Sequence, residues 1–238
     1  MLDAQSSIKT LIIVPARSGS KGIIDKNIKP LGGKPLLQWT CEAIQNARID
    51  DAFSLLSTDS PQYAELGQQF GLEVPFLRPA DCAHDDTPAL HVIEHALQWF
   101  ETAYTYLPEY ILWLQPTSPF RGSACLRQAM TMMHTQAANA VIGCQAIHRD
   151  LTTLFHNDDG FLHPLDAQSP TQTSRQQRAP LLTPNGALYL CKTRELLSHH
   201  TLYPPLTLPL LMNRIQSLDI DTEEDWAMSE AFIRQGLV

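Results

Sequence analysis

The stretch TLIIVPARSGSKGIIDKN, Thr10 to Asn27, passes from an apolar run straight into a loop with glycines at 19 and 22, one arginine and two lysines. Leu11 to Val14 has the length and character of a buried strand. A loop leaving such a strand can aim several backbone N–H groups at an anion, and glycines let the chain approach closely. Arg17 and Lys21 add positive charge. The same residues also suit a plain strand-to-helix turn with solvated basic side chains. Two phosphate loops are excluded by spacing: Gly22 stands where GxxxxGK[ST] needs a hydroxyl residue after Lys21, and GxGxxG is absent.

Working outward, strand-length runs recur at Ala52–Ser57, Tyr110–Leu114, Ala140–Cys144, Ala187–Cys191 and Ile215–Ile220. Between them, Leu37, Cys41, Ile44 and Ala47 fall at helical spacing, as do Leu90, Ile93, Leu97 and Phe100. This alternation predicts an α/β, Rossmann-like domain, a largely parallel sheet flanked by helices with its ligand crevice at the carboxyl ends of the strands. The 238 residues suit one such domain spanning 1–238. From 145 to 183 the rhythm breaks, and LTTLFHNDDGFLHPL carries a hairpin signal at Asp159-Gly160. That segment is expected to be an excursion inserted in the main sheet.

Composition narrows the function classes. A net charge of −8 argues against a general nucleic-acid surface, so a phosphate ligand has to be met by a local basic cluster. No stretch approaches the roughly 18 apolar residues of a membrane span. The N-terminus MLDAQSSIKT lacks a basic start and an apolar middle, which leads to the expectation of a cytoplasmic protein without membrane partners. Cys41, Cys82, Cys125, Cys144 and Cys191 form no CxxC pair and read as reduced, mostly buried thiols.

PARSGSKGIIDKN followed by GGKPLLQWT resembles the N-terminal signature of the CMP-sialic acid synthetases, the acylneuraminate cytidylyltransferases. LSTDS at 56–60, FLRPAD with DDT at 76–87, LQPTSPFR at 114–121, PNGALYL and SLDIDTEED extend the resemblance along nearly the whole chain, in order. It implies transfer of CMP from CTP to the C2 hydroxyl of a nine-carbon 2-keto sugar acid, with pyrophosphate released and Mg²⁺ required. It also implies a homodimer in which a segment like 145–183 packs on the partner.

By the same resemblance, Pro15 and Ala16 lie near the cytosine and ribose, Arg17 and Asn27 contact the nucleotide, Lys21 neutralises phosphates and Arg78 helps hold CTP. Arg17, Lys21 and Asp221 are the expected catalytic residues. Gln115, Arg175 and Tyr189 face the sugar, although a tyrosine on a strand also suits core packing. Asp219 and Asp221 are the expected metal ligands. In a strand their carboxylates would share one side, and hard cations prefer oxygen. Thr222 with Asp225 three residues on also reads as a helix cap. Two departures bear on the substrate. Thr152 in DLTTL stands where sialic-acid members carry lysine, and Asp86-Thr87 continue as Pro88-Ala89 without the usual serine. Legionaminic acid, a related bacterial nonulosonate, therefore stands beside N-acetylneuraminic acid as a substrate. A Kdo-type cytidylyltransferase shares the fold and chemistry, but SGSKG disfavours it. A CTP-binding module without catalysis is the non-enzyme alternative.

Overall fold

A computed structural model describes residues 7–19, 22–84, 86–147, 154–165 and 181–238. In chain order the elements are β1 (Thr10–Pro15), β2 (Pro30–Leu31), β3 (Lys34–Pro35), α1 (Leu36–Ala47), β4 (Ala52–Ser57), α2 (Pro61–Gln69), α3 (Ala89–Tyr104) and β5 (Tyr110–Trp113). They continue with α4 (Ser123–Thr135), β6 (Ala140–Ile147), β7 (Phe155–Asp158), β8 (Phe161–Pro164), β9 (Leu181–Lys192), α5 (Thr193–His199), β10 (Thr207–Leu211) and α6 (Glu223–Arg234). The six-stranded main sheet runs β10-β6-β9-β5-β1-β4. Strands β4, β1 and β5 are parallel, as are β6 and β10, while β9 runs antiparallel between β5 and β6.

Leu11 to Val14 are all fully buried because β1 is covered on both faces. With side chains alternating across a strand, Ile12 and Val14 pack with Leu37, Cys41 and Ile44 of α1, and Leu11 and Ile13 with Ile93, Leu97 and Phe100 of α3. Each such side chain contributes about 1.5–3 kcal/mol by leaving water. The core thus fixes β1 between β5 and β4, and its carboxyl end leads into the loop that ends at Asn27. Four of the five cysteines are buried and all are free thiols. Among the described residues, no helix is long and apolar enough to cross a membrane.

The strand expected at Ile215–Ile220 is not one. Asn213 accepts hydrogen bonds from the amides of Ile215 and Gln216 (3.0 and 2.9 Å), which winds the chain into a turn. Ile220 packs instead beside Ile23 and Trp226 in a separate cluster under the loop. The sheet's sixth strand is β10, whose Pro209 is tolerated because the strand lies at an edge. Helix α1 starts at Leu36 with Pro35 as its N-cap. Strands β7 and β8 form the hairpin turning at Asp159-Gly160, both residues at positive φ. Within 145–183, Gln145–Ile147 pair with Leu181–Thr183 as the ends of β6 and β9.

Candidate active site

The loop after β1 closes on itself. Asn27 donates through Nδ2 to the Arg17 carbonyl at 3.2 Å, and the Arg17 guanidinium donates to the carbonyls of Ser18 and Gly19. The turn after β4 holds it from outside: Asp59 accepts from the Ser18 amide (2.8 Å) and hydroxyl (2.6 Å). Burial would raise the Asp59 pKa, but these two bonds, its own backbone amide and the Arg78 charge together outweigh it and hold the carboxyl below its usual range. Tyr63 of α2 donates its hydroxyl to Asp25 at 3.2 Å, steadying a residue at φ +50°.

Opposite the loop, the segment after the turn brings up the two aspartates. Ile220 between them is fully buried and its amide donates to the Thr117 carbonyl at 2.8 Å, so Asp219 and Asp221 are set by a core residue. Asp219 is half-buried, and its Oδ1 is buried without a hydrogen-bond partner. Burial raises its pKa, Asp221 adds to the shift, and a Thr117 hydrogen bond and Lys26 oppose it. Thr222 caps α6 through a reciprocal box with Asp225, while the Asp219 and Asp221 side chains remain on the crevice wall. The sides meet backbone to backbone: a Cβ on Gly22 would lie 2.4 Å from the Asp221 carbonyl oxygen.

A crevice of about 580 Å³ lies between them. Pro15, Arg17, Asn27, Arg78, Gln115, Asp219 and Asp221 line it, so seven residues singled out from sequence come together. Ala16 does not line it, since its amide extends the sheet to Ser57 and its methyl joins the core. Tyr189 does not line it either. Its ring lies 6.0 Å from that of Tyr203, and burial, with the Tyr203 hydroxyl and Asp219, pushes its own hydroxyl pKa up. Lys21, Thr152 and Arg175 lie outside the described residues. The two aspartates are not on a strand, so it is Ile220 and the turn, not strand alternation, that turn both toward the crevice.

Sequence reasoning missed several contributors. Lys26, 9% exposed, donates to the Ile220 carbonyl (2.6 Å) and to Asp221 Oδ1 (3.0 Å). Trp113, Thr117 and the first turn of α3 form more of the wall. Arg121 lies wholly buried beneath it, donating to the carbonyls of Gln115 (2.5 Å), Ser118 (3.1 Å) and Ala187 (2.9 Å) and to the Thr40 hydroxyl (2.6 Å). Burial pushes its pKa down to about 9, against the Cys125 thiol and the Asp219 carboxylate. Arg78 is buried too, donating to Ser57 and to the Cys82 carbonyl, and burial lowers its pKa while Asp59 opposes the shift. Lys26, Asp59 and Arg121 each sit inside a quoted motif, which was the only available signal.

The donor set fits a small hard cation that is itself coordinated by phosphate. The orphaned Oδ1 of Asp219 and the Asp221 carboxylate are two oxygens of the kind such a cation would take. Among the described residues no group of three histidine, cysteine or acidic side chains could hold an ion without such help.

A family model described as cytidylyltransferase matches residues 11–228. The chain belongs to this family. The cytidylyltransferase is 32% identical over 226 residues to the CMP-N,N'-diacetyllegionaminic acid synthase of Legionella pneumophila, covering 94% of this chain and 95% of that one. It is 31% identical over 229 residues to the N-acylneuraminate cytidylyltransferase of Escherichia coli, covering 93% of this chain but spanning only 51% of the relative's length. Among solved structures it is similar to a CMP:2-keto-3-deoxy-manno-octonic acid synthetase complexed with CTP, with a TM-score of 0.66, 16% identity, and coverage of 96% and 99% of the two chains. The 4-diphosphocytidyl-2C-methyl-D-erythritol synthase of Anaerococcus prevotii gives 0.60 at 12% identity, covering 94% and 98%. At these identities the structures speak for the fold alone, a nucleotidyltransferase α/β sheet.

Proposed function

We propose that this cytidylyltransferase joins CMP from CTP to the C2 hydroxyl of a nine-carbon 2-keto sugar acid, of the legionaminic type in preference to N-acetylneuraminic acid. The observation that carries the reading is the meeting, in one crevice, of the Arg17–Asn27 loop with Asp219 and Asp221 from the other end of the chain. In the reaction the C2 oxygen bonds to the α-phosphorus, the bond from that phosphorus to the pyrophosphate oxygen breaks, and the hydroxyl proton is released. Positioning and charge neutralisation account for most catalysis of this kind. Arg17, with Lys21 proposed from sequence, faces the phosphates, and Arg78 adds positive field from beneath. Gln115, with Arg175 proposed from sequence, serves the sugar, a guanidinium being suited to its carboxylate. Cytidylyltransferases of this kind commonly use a divalent metal. Asp219 and Asp221 would hold it here as Mg²⁺, where it would supply charge neutralisation at the phosphates.

The legionaminic preference is supported by the near end-to-end alignment with the L. pneumophila synthase and by Thr152 in place of a lysine. A short, uncharged side chain leaves room for a bulkier, less hydroxylated sugar. The enzyme is further proposed to work in the cytoplasm as a homodimer. The hairpin β7–β8 and the residue after it expose Phe161 (71%), Leu162 (72%) and Leu165 (61%), apolar surface that a second copy would cover. Pyrophosphate release with CTP, Mg²⁺ and a panel of keto-sugar acids tests the reaction, and release with none of them refutes it. For substrate choice, kcat/KM for N,N'-diacetyllegionaminic acid should exceed that for N-acetylneuraminic acid by about tenfold, or about 1.4 kcal/mol. Equal or reversed values overturn the preference and leave the reaction standing.

A further inference from the structure

The Lys26 ammonium sits where a cation at the aspartate pair would act. Its side chain is 11% exposed and that of Asp221 70%, so the carboxylate is open to the crevice while the lysine that grips it comes from within. Nζ is fixed by two contacts at once, the Ile220 carbonyl at 2.6 Å and Asp221 Oδ1 at 3.0 Å. Asp219, one residue before Ile220, keeps its Oδ1 buried and unpartnered. The one ammonium therefore neutralises Asp221, while Asp219 keeps an oxygen that no hydrogen bond reaches. A divalent cation drawn to that orphaned oxygen meets the fixed positive charge of Lys26 on the neighbouring carboxylate. A buried ammonium cannot give up its acid without another anion to take its place.

We infer that Lys26 is an internal counter-ion that competes with the divalent cation for Asp221, so that the cation binds well only once a polyphosphate in the crevice offers Lys26 a new partner. This makes Lys26 a positioning residue that couples cation binding to nucleotide binding, and coupling of this kind is reciprocal. The inference rests on the proposal that Asp219 and Asp221 hold the metal.

The test measures Mn²⁺ binding to the nucleotide-free enzyme by the electron paramagnetic resonance signal of free Mn²⁺. Lys26→Gln removes the charge yet can still donate to the Ile220 carbonyl, and Lys26→Met is measured alongside in case the first variant does not fold. The expected result is Mn²⁺ binding at least fivefold tighter than wild type in the charge-free variants, and wild-type weakness in Lys26→Arg. Adding Asp221→Asn to Lys26→Gln should abolish the gain. If the charge-free variants bind no tighter while Asp221→Asn weakens binding, the counter-ion inference is overturned and the metal assignment stands. If Asp221→Asn changes nothing in the Lys26→Gln background, the metal assignment and the inference fall together.

Discussion

Replacing Arg121 tests whether the floor of the crevice is built or merely filled. Its guanidinium has no exposed surface and donates to three carbonyls and one hydroxyl. Arg121→Met would leave the carbonyls of Gln115, Ser118 and Ala187 without this donor. At about 1–3 kcal/mol for each unsatisfied buried acceptor, the loss is about 3–9 kcal/mol. Removing a buried charge offsets several kcal/mol of that, because the guanidinium no longer has to be desolvated. The difference leaves a net destabilisation of about 3 kcal/mol, or a fall in Tm of about 6–12 °C for a domain of this size. Arg121→Lys keeps the charge but concentrates its donors on one nitrogen, which cannot span acceptors on three elements. It should fold with an intermediate Tm and lose about tenfold in kcat/KM, since two of the tethered carbonyls belong to Gln115 and to the residue after Gly186. Calorimetry and steady-state kinetics on both variants decide the matter. An Arg121→Met protein within about 1 kcal/mol of wild type, with unchanged kcat/KM, would refute the reasoning.

Gly186→Ala should lower kcat/KM by more than tenfold while costing about 1–3 kcal/mol of stability, because Gly186 has φ +77° and a Cβ there would lie 3.0 Å from Gln115 Oε1 and 3.4 Å from Asp219 Oδ2. Kinetics beside a denaturant titration check it, and a fully active variant would mean that the glycine serves only the turn. Asp59→Asn should flatten the acid limb of the stability curve. The folded pKa of Asp59 lies below its unfolded value, so its contribution is present above the ordinary carboxylate range and is lost as pH falls through the folded value. Urea unfolding of both proteins at stepped pH from neutrality downward measures this, and parallel curves would contradict it.

What could be read from the sequence was whatever local chemistry decides. An apolar run abutting glycines gave β1 and its loop, Asp159-Gly160 gave the hairpin turn, and Thr222 with Asp225 gave the cap of α6. Where the outcome depends on distant partners, local pattern misleads. Ile215, Leu218 and Ile220 have strand-like composition, yet their apolar surface is used against Trp39 and Trp226, and Asn213 closes the turn that makes this possible. Strand β10 carries a proline, a mark against a strand that only its place at the sheet edge removes. Lys26 was legible as a letter in a motif, but its role comes from a carboxylate 195 positions away. Arg121 looked like any arginine after a proline-rich turn, because burial is a property of the assembled sheet.

The two walls of the crevice are stiffened by different means, and this bears on how they respond to ligands. The 17–27 loop is stitched by polar contacts at its margins, Ser18 to Asp59 and Asn27 to Arg17, with Tyr63 bracing Asp25. The aspartate wall depends on Ile220 in the apolar cluster and on the cap of α6. Polar contacts at a crevice margin can be exchanged for ligand contacts at small net cost, since each is worth only about 1 kcal/mol against water. An isoleucine without exposed surface cannot be withdrawn so cheaply. The contacts at the loop margin are therefore the cheaper of the two walls to rearrange. Lys26, rooted in the loop and gripping Asp221, is the ion pair that ties the two walls together.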